Sequence, residues 1–205
     1  MTKIDFKKKL KHLYQPHQKD FQLIEVPDMK FFMVDGQGTP GVVPEYTEAL
    51  EVLYAMSYKT KFLSKKQERD FVVPPLEGLW WADDMASFTS ARDKSQWRWT
   101  MMIMTPDWIS SAMVAEAKAE VMEKKELPAL EKLRWEEYRE GLAVQILHLG
   151  SYDDEGPVLA RLHEEWMPEN GYTFNGLHHE IYLSDPRKVE ASKLKTILRQ
   201  PIRKI

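Results

Sequence analysis

Two stretches of this chain read alike, and the parallel limits its possible folds more than any single motif does. The first begins with strand-like runs at 21–26 and 30–34, then a loop holding Gly36, Gly38, Pro40, Gly41 and Pro44. A helix-period pattern follows at Tyr46, Ala49, Leu50, Leu53 and Tyr54, and further strand-like runs end at Thr105-Pro106. The second begins at 142–149, passes Gly150, enters a helix over 157–166 with Pro157 in its first turn, and ends on a strand closed by Asp185-Pro186. Internal similarity of this kind predicts an α+β fold of two modules about a pseudo-twofold axis. Their sheets would meet, or face each other across a groove, and clefts between repeats favour ligands.

The boundaries follow. Residues 1–20 form a lysine-rich amphipathic lead-in, module one spans about 21–106, connecting helices about 107–139, and module two about 140–205. Within module one, Phe62, 71–73, 79–81 and 96–104 read as strands. The connector is predicted as a helix over 108–125 with Asp107 as N-cap, then a second helix over 129–138. Asn170-Gly171 marks a turn before a strand over 177–183.

That last strand carries the chemistry. In His178-His179-Glu180-Ile181-Tyr182-Leu183, period-2 alternation sends His179, Ile181 and Leu183 one way. His178, Glu180 and Tyr182 go the other way, as a titratable, partly aromatic wall. The plain alternative is a solvent-facing strand surface. Seven Trp, eight Tyr and eight Phe offer walls for a pocket instead. Trp80 and Trp81 are adjacent and face opposite sides, while Trp97 and Trp99 share a side. In such a pocket, desolvation is expected to raise the Glu180 pKa. Ionised, Glu180 can pair with a cation or act as general base toward water; protonated, it can donate.

Other classes are excluded or disfavoured. A net charge of −3, with basic residues gathered only at the two ends, is poor ground for nucleic-acid binding. No apolar run approaches the roughly eighteen residues of a membrane span, so the expected location is cytoplasmic. Zero cysteines remove thiol chemistry. His178, His179 and Glu180 cannot all reach one ion from a strand, so no metal site is expected. Gly36-x-Gly38 lacks the third glycine of a nucleotide fingerprint. No cofactor is expected.

Several strings together resemble a known family: Pro75-Leu76-Glu77-Gly78-Leu79-Trp80-Trp81, Trp97-x-Trp99, Glu140-Gly141, Gln145-x-x-His148-x-Gly150, His178 through Pro186, and Lys195-Thr196-Ile197-Leu198-Arg199-x-Pro201. They are similar to the GyrI-like small-molecule-binding proteins, and more narrowly to the stand-alone subfamily of cyclopropanoid cyclopropyl hydrolases. The resemblance runs from about Phe21 to the C-terminus and implies a single domain of two SHS2-like modules with a central ligand cleft. It implies an acidic cleft residue, here Glu180, as the base that orients water to open a spiro-cyclopropane. It also implies a small flat aromatic or cationic ligand in an aromatic cage, drawn here from Trp80 or Trp81, Trp97 or Trp99, Tyr46, Tyr172 and Tyr182, with His178 beside them. Aligning Pro106 with Pro186 puts Thr100 at the position of Glu180 and turns Trp99 away. Multidrug-sensing relatives carry a preceding DNA-binding module, for which about twenty residues leave no room. Hydrolysis, sequestration without chemistry, and a protein-interaction role as the gyrase-inhibitor name suggests (with no partner specified) are the competing functions.

Overall fold

In the computed structural model, residues 2–83 and 93–205 are described. They form α1 (Phe6–Lys9), α2 (Lys11–Tyr14), β1 (Gln22–Val26), β2 (Met29–Gln37), α3 (Pro44–Lys66), β3 (Leu76–Trp81), β4 (Arg98–Thr105) and α4 (Ser111–Lys124). After these come β5 (Arg134–Tyr138), β6 (Gly141–Leu149), α5 (Gly156–Ala160), α6 (Met167–Glu169), β7 (Tyr172–Phe174), β8 (His178–Tyr182) and β9 (Lys195–Lys204). Between α5 and α6, Arg161–Trp166 winds as a π-helix. The fold is α+β: a large antiparallel sheet with helices.

The strand order is β1-β6-β9-β8-β3-β4-β2-β5, with β7 added to β9. β3 and β8 are neighbours at the centre of one continuous sheet, and β1, near the N-terminus, pairs with β6. Side chains of directly paired residues share a face. One face thus carries Trp80, Gly78, Trp99, Met101, His178, Glu180 and Tyr182. The helices lie on this face: Tyr46 of α3 meets Trp99 edge-on at 5.3 Å, and Leu162 and Met167 bury against Val144 and Ile202. The opposite face carries Glu77, His179 and Arg199, and α2 covers it through Leu13 and Tyr14.

Several expectations are corrected. Phe62 is helical, because α3 runs on to Lys66 along a face built of Val52, Leu53, Met56 and Leu63. Residues 71–73 make only one bridge, Phe71 to Ile4. Ser110, not Asp107, caps α4: its hydroxyl accepts from the Met113 amide at 3.2 Å. The second connecting helix is instead a 3₁₀ turn at Pro128–Lys132 followed by β5, whose Trp135 and Tyr138 pack on opposite faces of the sheet edge. In the N-terminal stretch, Leu13 and Tyr14 are almost wholly buried.

Candidate functional site

β3 and β8 are the middle pair of the sheet, and on their helix-covered face the register places Glu180 directly opposite Gly78. A Cβ on Gly78 would lie 2.9 Å from Trp80 Nε1 and 3.2 Å from Tyr182 Oη. The glycine is what lets those two groups meet. Trp80 Nε1 donates to Tyr182 Oη at 3.0 Å, and Tyr182 Oη donates to Glu180 Oε2 at 2.7 Å. The indole thus fixes the phenol, and the phenol fixes the carboxylate. His178 Nε2 lies 3.3 Å from Glu180 Oε1, within ion-pair range but outside hydrogen-bond geometry.

Sequence reasoning missed a second carboxyl, Glu155, which is only 5 % exposed. Desolvation, then the charge of Glu180, pushes its pKa up to about 10. Thr196 lies beside it, close enough to favour ionisation, although Glu155 Oε1 and Thr196 Oγ1 complete no hydrogen bond. Glu155 precedes Gly156-Pro157 at the start of α5, where an acidic residue reads as an ordinary complement to a helix N-terminus. Nothing in the local sequence marks it as buried.

Aromatic groups close over these carboxyls. Tyr152 meets Tyr182 edge-on at 5.8 Å. Burial, then Glu155, raises the Tyr152 pKa to about 12. Burial, then Tyr152 and Glu180, raises that of Tyr46. Trp97 packs edge-on against Trp80 at 5.9 Å.

Of the residues the sequence singled out, Glu180, Tyr182, His178, Trp80, Trp97 and Tyr46 come together. Trp81 does not: it pairs with Arg98 on the opposite face. Trp99 is on the Glu180 face, not turned away. It is fully buried, with Nε1 donating to Gly38 O at 3.3 Å and its ring filling the space that Gly36 leaves open. It is a wall behind Tyr46, not a ligand surface. Tyr172 lies on β7 beside Lys204, stacked on Trp166 at 5.9 Å. It belongs to the far edge of the sheet. Open concavities of about 300 Å³ and about 460 Å³ lie near that edge, around Phe21, Arg161 and Trp166 and around His17–Asp20. Around Glu180 stand the aromatic side chains of Tyr46, Trp80, Tyr152 and Tyr182.

Behind the same strands lies a second cluster of charge. His179 is held between Glu140 (Nδ1 to Oε1, 2.8 Å) and Glu77 (Nε2 to Oε2, 2.9 Å). Arg199 donates to Glu140 at 3.0 Å, to Gln145 and to Leu13 O, and Tyr14 Oη donates to Glu77 at 3.0 Å. Burial alone would push His179 down, but Glu140 and Glu77 outweigh it and raise it to about 9. His179 and Arg199 likewise overcome desolvation and hold Glu140 at about 2.

The GyrI-like small molecule binding domain family matches residues 19–203. The chain belongs to this family. An uncharacterized conserved protein from Listeria innocua is 36 % identical, with a TM-score of 0.89 over 98 % of this chain and 100 % of that one. Two structures described as hydrolases from the same organism are 37 % and 36 % identical, with TM-scores of 0.84 and 0.87 over the same shares. No curated protein matches. Among the described residues, no helix of this GyrI-like chain is long and apolar enough to cross a membrane.

Proposed function

We propose that this GyrI-like protein acts in the cytoplasm on flat hydrophobic xenobiotics and opens the strained ring of cyclopropanoid alkylating agents by adding water. One observation carries the reading: a carboxylate that accepts a phenol hydrogen bond and a second, buried carboxyl border one aromatic enclosure. Tyr182 hydrogen-bonds Glu180 as an acceptor, which suits a base, while Glu155 holds its proton through neutrality. A carboxyl whose pKa is pushed up beside a second carboxyl is the usual arrangement for one acid and one base.

In the proposed step, Glu180 takes a proton from water as the oxygen attacks the cyclopropane methylene. The C–C bond to the spiro centre breaks, and its electrons pass through the dienone to the carbonyl oxygen. Glu155 gives that oxygen its proton, leaving a phenol and a hydroxymethyl group. Relief of ring strain and gain of aromaticity drive the reaction. Tyr182 and Trp80 orient Glu180, and Tyr46, Tyr152 and Trp97 supply the flanking aromatic surface. The hydrolase descriptions of the Listeria proteins support this reading.

Incubation with a cyclopropanoid alkylator is expected to give ring-opened hydrate in excess over protein. Glu180→Gln is expected to stop it with the fold intact. A variant that keeps the full rate would remove Glu180 as the base. The second reading, sequestration without chemistry, is favoured by the close aromatic packing over Glu180. Its signature is stoichiometric tryptophan quenching with no product.

A further inference from the structure

The helix α3 turns one row of large side chains away from the sheet. Ala49, Val52, Leu53, Met56 and Leu63 form its buried side, and Lys59 ties one flank to α4 through Glu120 at 2.6 Å. Glu51, Tyr54, Tyr58, Phe62 and Lys65 are all exposed. At 3.6 residues a turn these five fall within about 80° of one another, so they make a single stripe along the helix. Tyr54, Tyr58 and Phe62 are 36 %, 49 % and 53 % exposed, and the two tyrosine rings stack at 6.4 Å. One exposed aromatic is ordinary on a protein surface. Three in a row over roughly 12 Å form an apolar patch that marks a contact surface.

The order of side chains on the stripe decides what fits it. Tyr54 and Phe62 stand four residues to either side of Tyr58, and Glu51 and Lys65 stand seven to either side. The stripe is therefore symmetric in aromatic bulk and opposite in charge about its centre. A second copy of α3 laid antiparallel across Tyr58 sets Tyr54 of each copy against Phe62 of the other. The same placement sets Glu51 of each copy against Lys65 of the other, and Tyr58 meets its own equivalent on the axis. A parallel pair would instead put Glu51 against Glu51 and Lys65 against Lys65. The antiparallel arrangement also opposes the two helix dipoles and closes on itself, so each contact is made twice.

We propose that the exposed stripe of α3 is a self-association surface, through which two copies of this chain pair as an antiparallel twofold dimer. Stacked and edge-on aromatic pairs at its centre supply the attraction, and the flanking Glu51–Lys65 pairs fix direction and register. Asp185 and Arg187, paired with each other at 2.9 Å, border the Tyr54 end as a polar rim. Five side chains a copy are far fewer than the roughly 20–30 of a standard interface, so the dimer is weak, with a Kd of about 10–100 μM. The surface stands apart from the Glu180 site and requires neither ligand nor catalysis.

The test is sedimentation equilibrium of the full chain from about 1 μM to about 500 μM, which brackets that Kd. The unmodified protein is expected to pass from monomer to dimer across this range. Tyr58→Glu, which sets two carboxylates face to face on the axis, should keep it monomeric throughout. Glu51→Lys brings like charges together twice and should weaken pairing by about tenfold. Adding Lys65→Glu exchanges the signs and should restore the Kd to within about twofold, which neither a parallel pair nor a contact elsewhere would give. The three side chains are exposed, so the melting midpoint of each variant at low concentration should match that of the unmodified protein. A monomer at the highest concentration overturns the proposal. So does a dimer that Tyr58→Glu leaves intact, or a loss on Glu51→Lys that Lys65→Glu fails to restore.

Discussion

His179 and Glu180 are consecutive residues on opposite faces of one sheet, and each sits in a buried cluster of ionisable groups. The clusters differ in a single respect. Behind the sheet, two carboxylates face an imidazole and a guanidinium, and nearly every lone pair and N–H is used. In front, among the described residues, no lysine or arginine forms an ion pair with either carboxyl, several polar atoms are unpartnered, and burial pushes the Glu155 pKa up. Complete pairing produces a rigid clamp that ties β3, β6, β8, β9 and the N-terminal turn together. Incomplete pairing produces perturbed groups able to act on something else. The clamp behind holds the strand that carries His178, Glu180 and Tyr182 in front.

The largest effect should come from breaking the paired side. Arg199→Met or His179→Ala leaves a buried carboxylate uncompensated and should cost about 3–5 kcal/mol in chemical denaturation. Loss of no more than a few tenths would show the clamp to be ornamental.

On the unpaired side the effect should fall on rate instead. Glu180→Gln is expected to lower turnover of a cyclopropanoid agent by about 10²–10⁴-fold with an unchanged melting midpoint. A parallel collapse in stability would erase the contrast between the two faces.

Gly78→Ala probes the hinge of the argument, because its methyl group would push Trp80 and Tyr182 apart. We expect about a tenfold drop in rate with folding retained. Tyr182→Phe should show a similar drop, since both remove the hydrogen bond to Glu180.

The smallest effect concerns pH, and the signs can be worked out. His179 has its folded pKa raised to about 9, so its contribution is complete below about 6.5 and disappears as pH rises through 9. Glu140, held at about 2, contributes above about 4.5 and loses that contribution as pH falls toward 2. Glu155 is raised to about 10 and therefore weighs against folding increasingly from about 4.5 upward. Glu155→Gln should consequently melt higher than the unmodified protein at pH 8 and about equally at pH 5. A difference in midpoint that does not grow with pH would contradict the neutral state of Glu155.

The strand over 178–182 was legible in the sequence, because alternation of polar and apolar residues fixes which side chains share a face. Glu180, Tyr182 and His178 were found for the same reason. Trp80 was separable from Trp81 only once β3 was paired with β8, since adjacency says that two residues oppose each other but not which one faces the ligand. Trp99 shows the limit of a face assignment: it is on the correct side and still buried, because Gly36 lets its ring lie flat against β2. Tyr172 entered with the aromatic cage that the family resemblance implies, and it lies on β7 beside Lys204. Residues 134–138 read as helix because a five-residue amphipathic edge strand leaves too short a pattern to tell the two periods apart.

Local chemistry wrote the elements into the sequence: alternation for β8 and β4, a long apolar stripe for α3, and glycine and proline at the turns. The sequence also held five members of the rear clamp, since Glu77, Glu140, Gln145, His179 and Arg199 all fall within strings that signal the family. What it could not show was that these residues meet, because they lie up to 122 positions apart, from Glu77 to Arg199, on or beside four strands whose order only tertiary packing sets. The same holds for Glu155. Its burial, its proton and its nearness to Glu180 arise from a helix docking on a distant strand, and the free energy of a charge depends on everything around it rather than on its neighbours in the chain.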